Sequence, residues 1–246
     1  MQTILQPMEE SEVLQNARKA LKEPGALQMT GCLEAQKNHI IQLFAQGRKR
    51  CLIISFREQK ARELMEDASY YGRESVYYPA KDFLFAASYT RSGELQQERS
   101  LAYQRLIEAP ELDVYTTMDA FLEGLRPKEE VRGEVLTLET GMTKDPQELA
   151  EKLSAMGYER NFQAESPGEF AVRGGIVDVF TLSEDIAYRI EFFDDEIDSI
   201  RSYDPGTQRS IENLGQVRIY PLEKQDSQEG SGSGEEKRDS DRKSVV

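Results

Sequence analysis

Phe170-Ala171-Val172-Arg173-Gly174-Gly175-Ile176-Val177-Asp178-Val179-Phe180 decides how the second half of this chain is read. A short break separates it from Ala187-Tyr188-Arg189-Ile190-Glu191-Phe192-Phe193 and the acidic turn Asp194-Asp195-Glu196. Ile176 to Phe180 has the composition of a buried or half-buried strand. The second run alternates. Ile190 and Phe192 fall on one face, Arg189 and Glu191 on the other, as a sheet with one wet side requires. The acids supply turn chemistry before Ile197 and Ile200 begin a return strand. Two neighbouring strands thus carry a core face and an outward face that presents an arginine.

Outward from this stretch, Tyr158 to Tyr220 is strand-rich, with turns at Ser166-Pro167-Gly168 and Asp204-Pro205-Gly206. Ahead of it, Pro146 to Met156 reads as a helix with Leu149, Leu153 and Met156 inward, stopped by Gly157. Val131 to Thr140 reads as a strand. Together they form an α+β module, one helix on a small antiparallel sheet. Before Pro127 the pattern differs. Helices at 11–21, 34–46, 58–71, 93–108 and 118–125 alternate with strands at 26–30, 51–56, 76–78 and 112–116. That alternation predicts an α/β layer with a mostly parallel sheet, its Cys51–Phe56 strand buried on both faces. Residues 80–92, with Phe83, Phe85 and Tyr89, read as a loop that packs on itself. The expected division is 1–130, 131–222 and 223–246. The last segment has no apolar residue between Leu222 and Val245, too few to offset ordering entropy, and is expected to be a disordered tail or linker.

The chain has 246 residues and a formal net charge of −14, which argues against a general nucleic-acid or anionic-membrane surface. Cys32 and Cys51 form no disulfide framework and are expected as buried free thiols in a reducing cytoplasm. The N-terminus lacks the pattern of a signal peptide, and no run approaches the ~18 apolar residues of a membrane span.

Three kinds of chemistry have candidate residues in this chain. A phosphate-binding loop, G-x-x-x-x-G-K-[ST], can be laid on Gly31. The template puts Gln36 where the second glycine belongs and Asn38 where the magnesium hydroxyl belongs, so only Gly31 and Lys37 fit. Gln36 obstructs close backbone approach and Glu34 adds a repulsive charge, giving a degenerate loop. Asp194, Asp195, Glu196 and Asp198 could hold a hard cation but lack EF-hand spacing, and a hairpin turn collects solvated acids anyway. With His39 as the single histidine, neither a His-based zinc site nor a Ser-His-Asp system assembles. Catalytic and metal residues are therefore not assigned. Arg160, Arg173 and Arg189, with Phe162, Phe170 and Phe180 near them, leave two readings open: interface anchors, or arginines balancing nearby acids.

YERNFQAESPGEFAVRGGIVDVF (158–180) and YRIEFFDDEIDSIRSYDPGTQRSIENL (188–214) resemble the UvrB-homologous N-terminal region of the bacterial transcription-repair coupling factors, the Mfd family. The YPAKDFLF segment and the Glu98-Arg99 helix are similar to that family's first domain. UvrB itself would carry an intact phosphate loop where this chain has Gly31 to Asn38. The resemblance implies a degenerate P-loop, helicase-like α/β domain followed by a UvrB-domain-2-like module that binds UvrA. Arg160, Arg173 and Phe180 match the family's UvrA contacts, while Ala171 stands where UvrB has a further arginine. It implies a non-catalytic, UvrA-recruiting adaptor in transcription-coupled nucleotide excision repair, without a cofactor of its own. ATP, magnesium, RNA polymerase and DNA are expected to engage further domains of the family, including its ATP-dependent translocase motor. The alternative is a UvrB-like ATP-dependent repair protein; a plain nucleic-acid-binding module is disfavoured by charge.

Overall fold

The computed structural model describes residues 2–81, 89–182 and 187–222. The chain opens with α1 (Gln2–Glu9), α2 (Glu12–Ala20) and α3 (Glu34–Ala45). There follow β1 (Arg50–Ser55), α4 (Glu58–Ala68), β2 (Ser75–Tyr78), α5 (Tyr89–Glu108), β3 (Leu112–Thr117) and α6 (Met118–Glu123). The three strands form a parallel sheet in the order β1-β3-β2. Strand alternation sends Tyr77 and Tyr115 to one face, where Ala61, Leu64 and Ala68 of α4 cover them. Tyr78 and Val114 go to the other, against Ala102 and Leu106 of α5. Asp113, fully buried on the central strand, is held by the Arg73 Nε and Nη2 donors, each at 2.6 Å.

Several expectations for this half need correction. Residues 26–30 form no strand, since no neighbouring strand offers a ladder to them. β1 is not buried on both faces: Leu52 is 51% exposed, because β1 is the edge and α5 packs over its neighbours. The Tyr89 end of the stretch read as a loop is already helical, and residues 82–88, with Phe83 and Phe85, lie outside the described residues. Cys32 and Cys51 are free but only half-buried.

The second half begins with α7 (Lys128–Glu134), where a strand was expected from Val131. Pro127 precedes it and Glu129 and Glu130 occupy its first turn, residues that suit a helix N-terminus, while Val131 is buried. Only β4 (Leu136–Glu139) is extended, and it pairs antiparallel with β11 (Gln216–Ile219). Helix α8 (Pro146–Ala155) starts as its sequence requires. The Asp145 carboxylate accepts from the Gln147 and Glu148 amides at 2.6 and 3.1 Å, and Pro146 fills the first position.

The remaining strands are β5 (Glu159–Arg160), β6 (Glu169–Arg173), β7 (Ile176–Phe180), β8 (Ala187–Phe193), β9 (Glu196–Tyr203) and β10 (Ser210–Leu214). They make a six-stranded sheet in the order β10-β9-β8-β7-β6-β5, antiparallel except for the β5–β6 pair. One face carries Phe170, Val177, Val179, Ile190 and Ile200 and packs against Leu149, Leu153 and Met156. The segment expected to be a disordered tail, 223–246, lies outside the described residues.

The core assignment gives a direct contrast between two phenylalanines eight residues apart. Phe170 is fully buried and Phe162 is 85% exposed. Phe170→Ala should cost about 3–5 kcal/mol in urea unfolding followed by circular dichroism. Phe162→Ala should stay within about 0.5 kcal/mol of the parent. Equal effects would contradict the placement of the sheet's core face.

Candidate functional site

The hairpin joining β6 to β7 builds the face opposite the core. Its turn is Gly174-Gly175, and each glycine has a separate reason. Gly174 takes φ +59°, a left-handed backbone that L side chains rarely adopt. A Cβ on Gly175 would sit 3.0 Å from the Phe192 carbonyl oxygen, and the Phe192 amide donates to the Gly175 carbonyl at 2.7 Å. The two-residue turn pairs Arg173 with Ile176 and Ala171 with Asp178. β8 then sets Arg189 opposite Asp178, and β9 sets Arg201 opposite Arg189.

Asp178 is the centre of this outer face. It is 1% exposed and bears the charge that such burial penalises most. Three N–H donors answer it. Arg189 binds with Nε at 2.7 Å and Nη2 at 2.9 Å, a fork on both oxygens, and Arg173 adds Nη2 at 2.5 Å. The Arg189 guanidinium also lies 4.5 Å from the centre of the Tyr203 ring and donates to Gln208 Oε1 at 3.0 Å. Its hydrogen bonds to Asp178 hold its pKa above the usual guanidinium value. Beside this group, Arg201 pairs with Glu191, which also accepts from Ser199 Oγ at 2.9 Å. Three arginines against two carboxylates leave the cluster one charge positive on an otherwise acidic chain.

The three residues matched to partner contacts are not gathered in one place. Arg173 lies on the outer face, its side chain 35% exposed. Phe180 shares that face by register but is 7% exposed, packed with Ala164, Ala187 and Tyr203. The side chain is thus covered within this small cluster. Arg160 is exposed on the edge strand β5, in register with Phe170, whose side chain belongs to the core face. The residues that the sequence reading missed are Asp178 as the organising group, with Arg201 and Tyr203 around it. One signal was available: Asp178 is the lone charge within Ile-Val-Asp-Val-Phe, and a buried strand tolerates a lone charge only with a partner across the ladder.

The degenerate phosphate loop shows where its side chains go. Gly31 does take a left-handed φ of +79°, and α3 follows it, but without a preceding strand. The Gln36 Oε1 accepts from the Leu33 amide at 3.1 Å, tying the side chain to its own helix start. Lys37 is paired with Glu34, which also attracts Lys60 at 3.6 Å. Asn38 is buried and donates from Nδ2 to the Leu64 carbonyl at 3.3 Å. Each group is already engaged within the chain.

Asp194 and Asp195 form the β8–β9 turn, with Asp194 at φ +58°, a conformation that aspartate tolerates better than most residues. Among the described residues no three His, Cys, Asp or Glu side chains lie together as metal ligands. His39 Nδ1 lies 3.2 Å from the Ala35 carbonyl and its ring meets Tyr71 edge-on at 5.7 Å. Among the described residues no helix is long and apolar enough to cross a membrane.

Residues 136–224 match the UvrB interaction domain family. The transcription-repair-coupling factor of Bacillus subtilis (strain 168) is 35% identical over 158 residues, 64% of this chain and 13% of that protein. That of Staphylococcus aureus (strain Mu50) is 33% identical over 187 residues, 75% of this chain and 16% of its own length. A Staphylococcus epidermidis counterpart (strain RP62A) is 32% identical over 194 residues, covering 78% and 16%. The chain therefore spans between 13% and 16% of the length of these relatives.

The tyrosine of the outer face yields a pH prediction. Burial, with Asp178 adding to it, pushes the Tyr203 phenol up to about 12, and burial does the same for Tyr77. A folded-state value above the unfolded ~10 means that stability is complete below about pH 10 and falls as pH rises towards 12. The urea midpoint should hold between pH 7 and about 9.5 and then drop, and Tyr203→Phe should lessen the drop. A midpoint unchanged to about pH 11.5 would contradict the assignment.

Proposed function

We propose that this chain, a relative of the transcription-repair-coupling factors that carries a UvrB interaction domain at residues 136–224, is a non-catalytic docking portion that recruits UvrA in DNA repair. The observation that carries the reading is the outer face of the six-stranded sheet. It carries the cluster of three arginines and two carboxylates, built inside the matched domain, and Arg173 stands on it partly exposed. Such a surface suits a partner that offers carboxylates, because a guanidinium binds a carboxylate in a planar, two-point geometry. Arg160 extends the contact from the edge strand, and Phe180, on the same face as Arg173, adds to it from its cluster with Ala164, Ala187 and Tyr203. The exposed Phe162, two residues from Arg160, supplies the apolar side chain for a recess on UvrA.

The N-terminal α/β half serves as a UvrB-like scaffold with a disused phosphate loop. The engagement of Gln36, Lys37 and Asn38 inside the chain supports that part of the reading. Recognition of RNA polymerase and DNA, and an ATP-driven motor, belong to other segments of the longer relatives. The bacterial cytoplasm, with free Cys32 and Cys51, is the compartment that fits.

Two measurements test the reading. The immobilised chain should capture purified UvrA, and Arg160→Glu combined with Arg173→Ala should weaken capture about a hundredfold with an unchanged circular dichroism spectrum. Alanine is the better change at 173, since a glutamate would set a second carboxylate against buried Asp178. Undiminished capture by the folded double variant would sink the proposal. In equilibrium dialysis with ATP and magnesium, no saturable binding is expected. Tight saturable binding would favour the UvrB-like ATP-dependent alternative.

A further inference from the structure

The outer face holds two arginines on one carboxylate, and the two are held differently. Arg189 is fixed on three sides: a fork on Asp178, a bond to Gln208 and the Tyr203 ring beneath it. Arg173 reaches Asp178 through Nη2 alone, and among the described residues its other guanidinium donors have no side-chain acceptor. It is also the more exposed of the two, 35% against 19% for the side chains. Asp178 cannot leave this arrangement, since a carboxylate buried to this depth has no water to replace its donors. Arg189 therefore stabilises Asp178, and Asp178 aims Arg173.

We propose that Asp178 is the positioning residue of the docking face, presenting the Arg173 guanidinium, already oriented, to a carboxylate of the partner. The inference rests on the docking reading above and deepens it, by naming the residue that orients the contacting arginine. Ordering a long arginine side chain on binding costs affinity, and a guanidinium fixed beforehand avoids that cost. Asp178 does not touch the partner. It acts through Arg173.

Charge and positioning predict opposite outcomes, which makes the idea testable. Asp178→Asn makes the face one unit more positive. If Asp178 only moderated charge, the variant would hold an acidic partner as tightly as the parent or more tightly. If Asp178 positions Arg173, the variant binds more weakly despite the added positive charge, because an asparagine offers one acceptor oxygen where three N–H donors converge. The measurement is the dissociation constant of the whole chain for purified UvrA, by calorimetry at two salt concentrations, with the fold checked by circular dichroism. Asp178→Asn is expected to bind about tenfold more weakly at both. Arg173→Lys, a change at a partly exposed position that keeps the charge and removes the planar fork, is expected to lose a similar factor. The double variant should lose little more than either alone, since both changes disable one device.

Parent-like or tighter binding by folded Asp178→Asn would overturn the proposal and leave the docking reading intact. So would parent-like binding by Arg173→Lys, which decides the matter should Asp178→Asn fail to fold. Failure of the parent chain itself to bind UvrA would remove the docking reading, and this inference with it.

Discussion

A carboxylate with 1% exposure in the middle of a β-sheet must be neutralised by donors that the sheet itself supplies, and that requirement organises the second half of this chain. Desolvating a charge costs several kcal/mol, and only close, well-directed donors offset it. Asp178 obtains them from the strand on either side: Arg173 on β6 and Arg189 on β8. Both strands must then be in register with β7, and the turn between β6 and β7 must be short. Tyr203 and Gln208 complete the arrangement by holding Arg189 in its plane. The opposite face needs none of this. It is an ordinary apolar layer under α8, and its demands on sequence are those of volume and hydrophobicity.

How much of this was legible in the residues depends on how local each cause is. The α8 start could be read from Asp145-Pro146, because a cap acts within one turn. β8 could be read from Arg189-Ile190-Glu191-Phe192, because alternation is written in the strand itself. Residues 26–30 were misread because a strand exists only beside another strand, and that neighbour is not encoded in the five residues. The exposure of Leu52 on β1 was missed for a related reason: it depends on where α5 lies over the sheet. Val131 to Glu134 was expected as the start of a strand running to Thr140, and the helix-starting chemistry of Pro127 and the two glutamates prevailed.

The candidate site was legible in part. Arg173 and Arg189 were singled out by composition, while their common partner Asp178 needed the cross-strand register, which no single strand reveals. Arg160 and Phe180 were in the same compositional group and were matched to partner contacts by resemblance, and the fold distinguishes them from Arg173, one by edge position and the other by burial. The phosphate loop is the converse case. Its departures from the template were visible at Gln36 and Asn38, but the uses to which these side chains are put became visible only with the helix cap and the Leu64 carbonyl.

The Gly174-Gly175 turn sets a length as well as a shape. Two residues between β6 and β7 fix which side chains face which way along both strands. One residue more, added within β7 before Asp178, would reverse the facing of everything after it, carrying the carboxylate into the apolar layer and Val179 out of it. Replacing a side chain here alters the contacts of one residue, whereas altering the count of residues exchanges the two sides of the sheet. This segment therefore accepts a change of side chain more readily than a change of length.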